Sequence, residues 1–269
     1  ITILSIMNGF EIELRERLLG LAPHISVRAE GGQLQQWQDL EKFMASPPLA
    51  LDGAPVIERE AMLTNFDLVE GARLQGITEN DPRIAKLDGF VKGQGLSKLT
   101  SGDFSIILGD GLARSMQVRV GDEITVISSQ PNRTPAGLLP RLKRFRVIGI
   151  ISAGVHEFDT GFAFVHLSDA AKLFRLGTSV SSLQYRLPEP LQATVIKKRI
   201  VEALSKQNHA ADILVTDWID DNENLFKALK TEKIVMFVVL ALAIAVAAFN
   251  LLSTLAMLVA EKRTEIAVL

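Results

Sequence analysis

Residues 234–260, IVMFVVLALAIAVAAFNLLSTLAMLVA, pass without one charged side chain. At about 1.5 Å of rise per residue, such a helix crosses the roughly 30 Å hydrocarbon core of a bilayer with length to spare. A helix apolar all round is either buried in a large core or spans a membrane, and at this length the segment reads as a membrane span. Asn250, Ser253 and Thr254 lie within it, and polar side chains at that depth face other helices or a cavity. Lys227, Lys230 and Lys233 precede the span, while Lys262 and Arg263 follow it. Counting basic residues therefore does not choose the cytoplasmic end.

The opening ITILSIMNGF has no initiator methionine, and its apolar character fades into ELRERLLG. The expectation is a fragment that starts in the tail of one span, passes through a large soluble region and ends just after a second span. The flanks do not suit a signal peptide. With 269 residues the soluble region has room for more than one domain. A formal net charge of −2 gives no global basic field, which makes nucleic acid a poor partner. The chain has no cysteine, which excludes disulfides, thiolate metal sites and cysteine nucleophiles within it.

Between the spans the pattern changes twice. After Pro23, HISVRAE alternates as a half-buried strand does, and LQQWQDLEKFMAS spaces Leu34, Trp37, Leu40, Phe43 and Met44 as a helix that Pro47-Pro48 ends. VIEREAMLTN and VEGARLQGI predict an antiparallel pair with Asn65 and Asp67 in the turn. From about residue 78, short strands and glycines dominate. SIILG runs into a helix at Asp110, Gly121-Asp122 makes a tight turn, RFRVIGIIS and FAFVHL are strands, and LSDAAKLFRL is a helix capped by Ser168 and stopped at Gly177. A strand in SSLQYRLPEP, a helix over 193–206 with Val195, Ile196, Ile200 and Leu204 along one stripe, and a strand in DILVTDW bring back the strand-and-helix alternation of residues 24–77. The expected fold class is α+β: residues 24–77 and 180–219 form one subdomain around a β-rich insert, 78–179. From Asp220 a polar helix leads without a breaker into the span, which would couple the soluble part to the membrane.

Enzyme constellations are missing. Gly109-Asp110-Gly111 lacks the third glycine of a dinucleotide fingerprint, and GQGLSK lacks the glycine-lysine-Ser/Thr run of a P-loop. His156-Glu157 opens like a zinc-protease motif, but Thr160 stands where the second ligand belongs. There is no G-x-S-x-G elbow. Asn132-Arg133-Thr134 matches a glycosylation sequon, a pattern with many chance occurrences. No catalytic residue and no metal site is assigned.

The segment PNRTPAGLLPRLKR, between the strands EITVISS and RFRVIGI, is longer than a hairpin turn requires. Pro131, Pro135 and Pro140 preset φ and remove backbone donors, which stiffens the connection and blocks strand addition. Arg133, Arg141, Lys143 and Arg144 bring positive charge without an acidic neighbour, and Leu138 and Leu139 offer apolar anchors. That mixture suits docking onto a protein with an acidic or apolar rim; the ordinary alternative is a solvated loop.

The stretches SIMNGFEIELRERLLGLAPHI, TPAGLLPRLKRFRVIGI and AFNLLSTLAMLVAEKRTEIAVL resemble the permease subunits of the lipoprotein-releasing Lol ABC transporter, the LolC/LolE type, over the whole chain. The MNGF-x-x-EL and AFN…EK…EIA-[VI]-L exits are the most specific parts, and the E-[KR]-x-x-E-I-x-x-L tail is shared with the MacB and FtsX permeases. The resemblance implies a multi-pass permease of a bacterial inner membrane with a MacB-like periplasmic domain. In this scheme residues 1–23 end the first span, α+β "porter" halves at 24–77 and 180–219 flank a β-rich "sabre" at 78–179, 220–260 hold the linker helix and second span, and 261–269 start a cytoplasmic coupling helix. Within the sabre, 130–144 correspond to a "hook" that recruits a LolA-type periplasmic carrier, a role that falls on Pro131, Arg133, Pro135, Leu138, Leu139, Pro140, Arg141 and Lys143. Glu261, Lys262, Arg263 and Glu265 would rest on a LolD-type ATPase. That partner would bind ATP and Mg, so this chain has no cofactor and is not itself an enzyme. Lipoprotein acyl chains would meet Ile3, Met7 and Phe10 on the first span and Val239, Ala243, Val246 and Phe249 on the second. The other partner is a second permease subunit of the LolE/LolC type, or the same chain in the hybrid LolF. RFRVIGIISAGVHEFDTGFAFVHL mixes LolC and LolE features, which leaves the three types open. A MacB-like efflux or mechanotransmission permease, or an FtsX-like scaffold regulating periplasmic partners, stands as the alternative function.

Overall fold

A computed structural model describes residues 23–129, 132–134, 137–139, 141–206, 212–221 and 223–266. Residues up to Trp218 form one unit and those from Ile219 a second.

The first unit contains β1 (Ile25–Ala29), α1 (Trp37–Ala45), β2 (Gly53–Asn65), β3 (Leu68–Ile77), β4 (Val91–Gly93), β5 (Ser105–Gly109), α2 (Asp110–Ser115), β6 (Glu123–Ser128), β7 (Asn132–Thr134) and β8 (Gly137–Leu139). After these come β9 (Leu142–Ile151), α3 (His156–Gly161), β10 (Phe162–His166), α4 (Leu167–Phe174), β11 (Ser182–Tyr185), α5 (Ala193–Ser205) and β12 (Ile213–Asp217). The fold class is the expected α+β.

The strand β2 belongs to two sheets. Its first residues pair with β11, which continues through β1 to β12, all antiparallel. From Ile57 onward it pairs with β3, and from Ala61 with β6. Because β6 also pairs with β9, the order β2–β3–β10–β5–β9–β6 returns to β2 and closes six strands into a ring. The boundary expected at residues 77 and 78 thus runs between β3 and β10, parallel neighbours in that ring.

Residues paired across strands share a face. Leu63, Leu74, Ile106, Val126, Val147 and Val165 turn inward by this rule, and each is fully buried. Side chains fill a ring this small, leaving no channel. A second apolar cluster, with Ile77, Leu87, Leu96, Ile107, Ile151, Phe158 and Phe164, packs on the ring's outer face. At Gly149 a Cβ would stand 2.4 Å from the Gln94 carbonyl oxygen, so only glycine lets the short edge strand β4 approach β9.

Local readings of the helices need four corrections. Leu34, expected in the first helix, instead forms an isolated bridge with Val180, and Gln36 in the left-handed region delays α1 to Trp37. The cap of α4 is His166 rather than the expected Ser168: its Nδ1 accepts from the Ser168 N–H at 3.2 Å. That helix ends at Phe174 with Arg175 at φ 51°, before Gly177. Along α5 the buried stripe is Ala193, Ile200 and Leu204, while Val195 is exposed.

Titrations shift on α1 and at the end of β11. Burial, then the nearby Asp52, raises the Glu41 carboxyl above its ordinary value. Burial, then Glu41, raises the Tyr185 phenol far beyond its usual range, and among the described residues its hydroxyl finds no hydrogen-bond partner. The Arg186 guanidinium is lowered by burial and by Arg83, against the opposing pull of Asp81.

The second unit is dominated by one helix, α6 (Glu223–Ile266). Thr231–Ala260 within it are long and apolar enough to cross a membrane, with mean hydropathy 2.8. The Thr254 hydroxyl donates to the Asn250 carbonyl at 2.8 Å, which satisfies one of the polar groups at membrane depth inside its own helix.

Candidate functional site

All six strands of the ring have one end in common, where β2, β5 and β9 begin and β3, β6 and β10 finish. The β6–β9 ladder runs from Glu123↔Arg146 to Ile127↔Leu142 and closes with the Ser128 N–H donating to the Arg141 carbonyl at 2.8 Å. Beyond it β7 and β8 form a separate two-stranded hairpin, with Asn132↔Leu139, Arg133↔Leu138 and Thr134↔Gly137 in register. Each three-residue strand stands between prolines of the sequence, where a missing N–H ends a ladder. Arg133, Leu138 and Leu139 therefore fall on the hairpin strands, while Pro131, Pro135 and Pro140 lie outside the described residues.

The root of the hairpin is tied into the fold. Arg141 is half-buried, and its Nη1 donates to the Phe174 carbonyl at 3.2 Å, the C-terminal end of α4, where a cation is favoured. Lys143 is exposed, yet its Nζ stands 4.0 Å from the Phe104 ring centroid. Both positions expected to dock a partner thus already make intramolecular contacts. The exposed Arg144 and Arg146 lie on the opposite face of β9, with Arg146 at 4.0 Å from Glu123. The Ser129 hydroxyl fastens the start of the connection to the Glu60 carbonyl at 2.8 Å.

A cleft of about 540 Å³ opens beside this root, floored by Glu60, Met62, Gly71 and Arg73 and walled by Glu157 and Phe162. Arg73 spans it, 5.2 Å from the Phe162 ring centroid and 3.7 Å from Glu58. His156 and Glu157, the start of an incomplete metal motif in the sequence, open α3, and Glu157 faces this cleft. Among the described residues no three His, Asp or Glu groups gather to hold a metal ion.

The remaining expected positions lie on α6 or before the described residues. Glu261, Lys262, Arg263 and Glu265 are in its last turns, where Lys262 is exposed. Val239, Ala243, Val246 and Phe249 recur at helical spacing and are all exposed. Ile3, Met7 and Phe10 lie outside the described residues. Sequence reading missed Phe104, Asp169 and the Phe174 carbonyl, which reach the hairpin root from distant segments with no motif of their own.

Comparison with known proteins places these features. The profile of the MacB-like periplasmic core domain matches residues 1–203. The chain is 37% identical over its whole length to the lipoprotein-releasing system transmembrane protein LolC of Neisseria meningitidis, and 36% to that of Xylella fastidiosa. It is 26% identical over 99% of its length to the protein of that system named LolE in Haemophilus influenzae. It spans 64% of the length of each of these relatives. Among solved structures, the periplasmic region of MacB from Actinobacillus actinomycetemcomitans aligns with a TM-score of 0.49 at 16% identity, covering 76% of this chain and 93% of that one.

Proposed function

The chain belongs to the MacB-like periplasmic core domain family, and from that membership we propose that it is the LolC-type part of an inner-membrane permease that releases lipoproteins to a periplasmic carrier. The observation that carries this reading is the β7–β8 hairpin, inserted between β6 and β9 of a closed ring, in a chain similar end to end to LolC proteins. The ring and its helices would provide the base, and the proline-bracketed hairpin that carries Arg133, Leu138 and Leu139 would dock the partner. A cation beside apolar groups fits a carrier with an acidic rim around an apolar surface.

The other roles follow from position. Exposed apolar residues on α6 (Val239, Ala243, Val246, Phe249), with Ile3, Met7 and Phe10 of the first span, would meet the acyl chains of a lipoprotein within the bilayer. The charged end of α6 (Glu261, Lys262, Arg263, Glu265) would seat on a LolD-type ATPase. Hydrolysis of ATP, with its Mg, belongs to that subunit, and this chain turns its closure into movement. A second permease subunit completes the assembly.

The test is release from proteoliposomes containing the full permease, its ATPase and a fluorescent lipoprotein, with a LolA-type carrier outside. ATP should move the lipoprotein into the carrier fraction, and replacing residues 130–140 by a two-residue turn between β6 and β9 should stop transfer while ATP hydrolysis continues. Transfer undiminished by that replacement refutes the docking role. No transfer by the unaltered permease leaves the efflux or scaffold reading in its place.

A further inference from the structure

The helix α4 reaches the hairpin root from both of its ends. At its C-terminus the Phe174 carbonyl accepts Arg141. In its first turn Asp169 is fully buried, with Oδ1 accepting the Gly102 N–H at 2.9 Å and Oδ2 the Phe104 N–H at 3.1 Å. Lys172 Nζ stands 3.4 Å from Oδ1. A buried carboxylate persists only when compensated in this way. We propose that Asp169 is a positioning residue for the hairpin, acting through Phe104 to hold the first residues of β9 in one orientation.

The backbone at Phe104 supports this. Its φ of 49° lies in the left-handed region, which disfavours a residue with a Cβ. Such a conformation survives where surrounding bonds over-determine it; here the Phe104 N–H is held by Asp169 and its carbonyl accepts the Arg146 N–H at 2.9 Å. The ring that this conformation places is shared. Lys143 Nζ lies 4.0 Å and Lys172 Nζ 5.5 Å from its centroid, and Phe145 meets it edge-on at 5.5 Å. Two residues before Lys143, Arg141 is held by the other end of the same helix. The entry of β9, from which the hairpin continues, is therefore held at alternate residues, Arg141 by α4 directly and Lys143 through Phe104, whose backbone Asp169 of α4 fixes. A docking element held in one orientation loses less entropy on binding than a free loop. That functional consequence rests on the docking role proposed above; the clamp itself does not.

Because the chain has no cysteine, a nitroxide can be attached at Leu138→Cys on β8, or at Phe66→Cys in the β2–β3 turn at the other end of the ring, where residue 66 is 97% exposed. Electron paramagnetic resonance on the full chain in detergent then reads local motion. In Asp169→Asn the label at 138 should reorient roughly twofold faster while the label at 66 keeps its spectrum. Phe104→Leu, which keeps the backbone bonds to Asp169 but removes the ring beneath Lys143, should do the same and serves if Asp169→Asn does not fold. An unchanged spectrum at 138 in a folded variant overturns the proposal, as does equal loosening at both sites. Carrier binding on the same samples separates the two readings: a loosened hairpin with undiminished binding upholds the clamp and refutes the docking role.

Discussion

Replacing Asp81 with alanine strands the Arg83 guanidinium in the interior. The two side chains are 1% and 7% exposed and pair at 2.6 Å between Arg83 Nη2 and Asp81 Oδ2. Arg83 Nε donates to Oδ1 at 2.9 Å, the Arg83 N–H reaches the same oxygen at 2.9 Å, and Nη1 donates to Gln75 Oε1 at 3.0 Å. Gln75 in turn donates to Glu58 at 2.8 Å, so the network ties the segment after β3 to β2. Hydrogen bonds to charged groups contribute about 1.5–3 kcal/mol each, but these share one carboxylate and do not add. Removing one partner of a buried pair costs about 3–5 kcal/mol. With each kcal/mol moving the midpoint about 2–4 °C in a unit of this size, thermal unfolding should shift down by roughly 6–20 °C. The loss of Asp81 also removes the attraction that offsets Arg83 beside Arg186. Near-UV circular dichroism during heating reads the midpoint. The double change Asp81→Leu with Arg83→Met should restore most of the stability, because an apolar pair of similar volume replaces a buried ion pair at little cost. A drop below about 1 kcal/mol for Asp81→Ala would refute the assignment of this pair as buried and interdependent.

Three further outcomes are expected. Gly76→Ala would place a Cβ 2.6 Å from the Ala170 Cβ and 3.3 Å from the Leu167 Cα, so α4 must shift and unfolding in urea should show a loss of about 1–3 kcal/mol. Arg141→Ala removes a charged donor from the C-terminal carbonyl of α4 and should cost about 1–2 kcal/mol in the same assay. Glu41 has its carboxyl raised in the folded state from 4.5, so folding favours its protonated form; that stability is complete below pH 4.5 and is lost as pH rises through the folded value. Glu41→Gln should accordingly raise the melting midpoint at pH 7 and lose this advantage below pH 4.5, as melting across pH will show.

Where residues alternate in the sequence, the elements were legible. The hydrophobic period located β1, β2, β3, β9 and β10, and Asn65 and Asp67 flag the β2–β3 turn. The interruption of the β6–β9 pair and the composition of its insert mark a stiff docking connection, whereas the β7 and β8 strands within it were not legible, because the prolines read as blocking strand pairing. The sharing of β2 between two sheets left no such trace, since one continuous thirteen-residue strand reads as one strand of one layer. Ring closure depends on β6 pairing β2 across more than sixty residues, a contact that local pattern does not encode. The hairpin root was equally hidden. Arg141 and Lys143 read as docking cations because their partners, Phe174 and Phe104, lie far away in sequence. His166 takes the cap position because its imidazole nitrogen accepts the N–H two residues on, which is that of Ser168 itself.

The measurement that tests the central claim most directly is binding of a LolA-type carrier to the full chain in detergent, compared with a variant carrying Arg133→Glu, Leu138→Ser and Leu139→Ser. These positions leave Arg141 and Lys143, and so the contacts at the root, intact. The account predicts that the unaltered chain binds and that the variant binds at least about tenfold more weakly, a difference of roughly 1.4 kcal/mol, with the same melting midpoint. Equal affinity for the two chains, or no binding by the unaltered one, would contradict it.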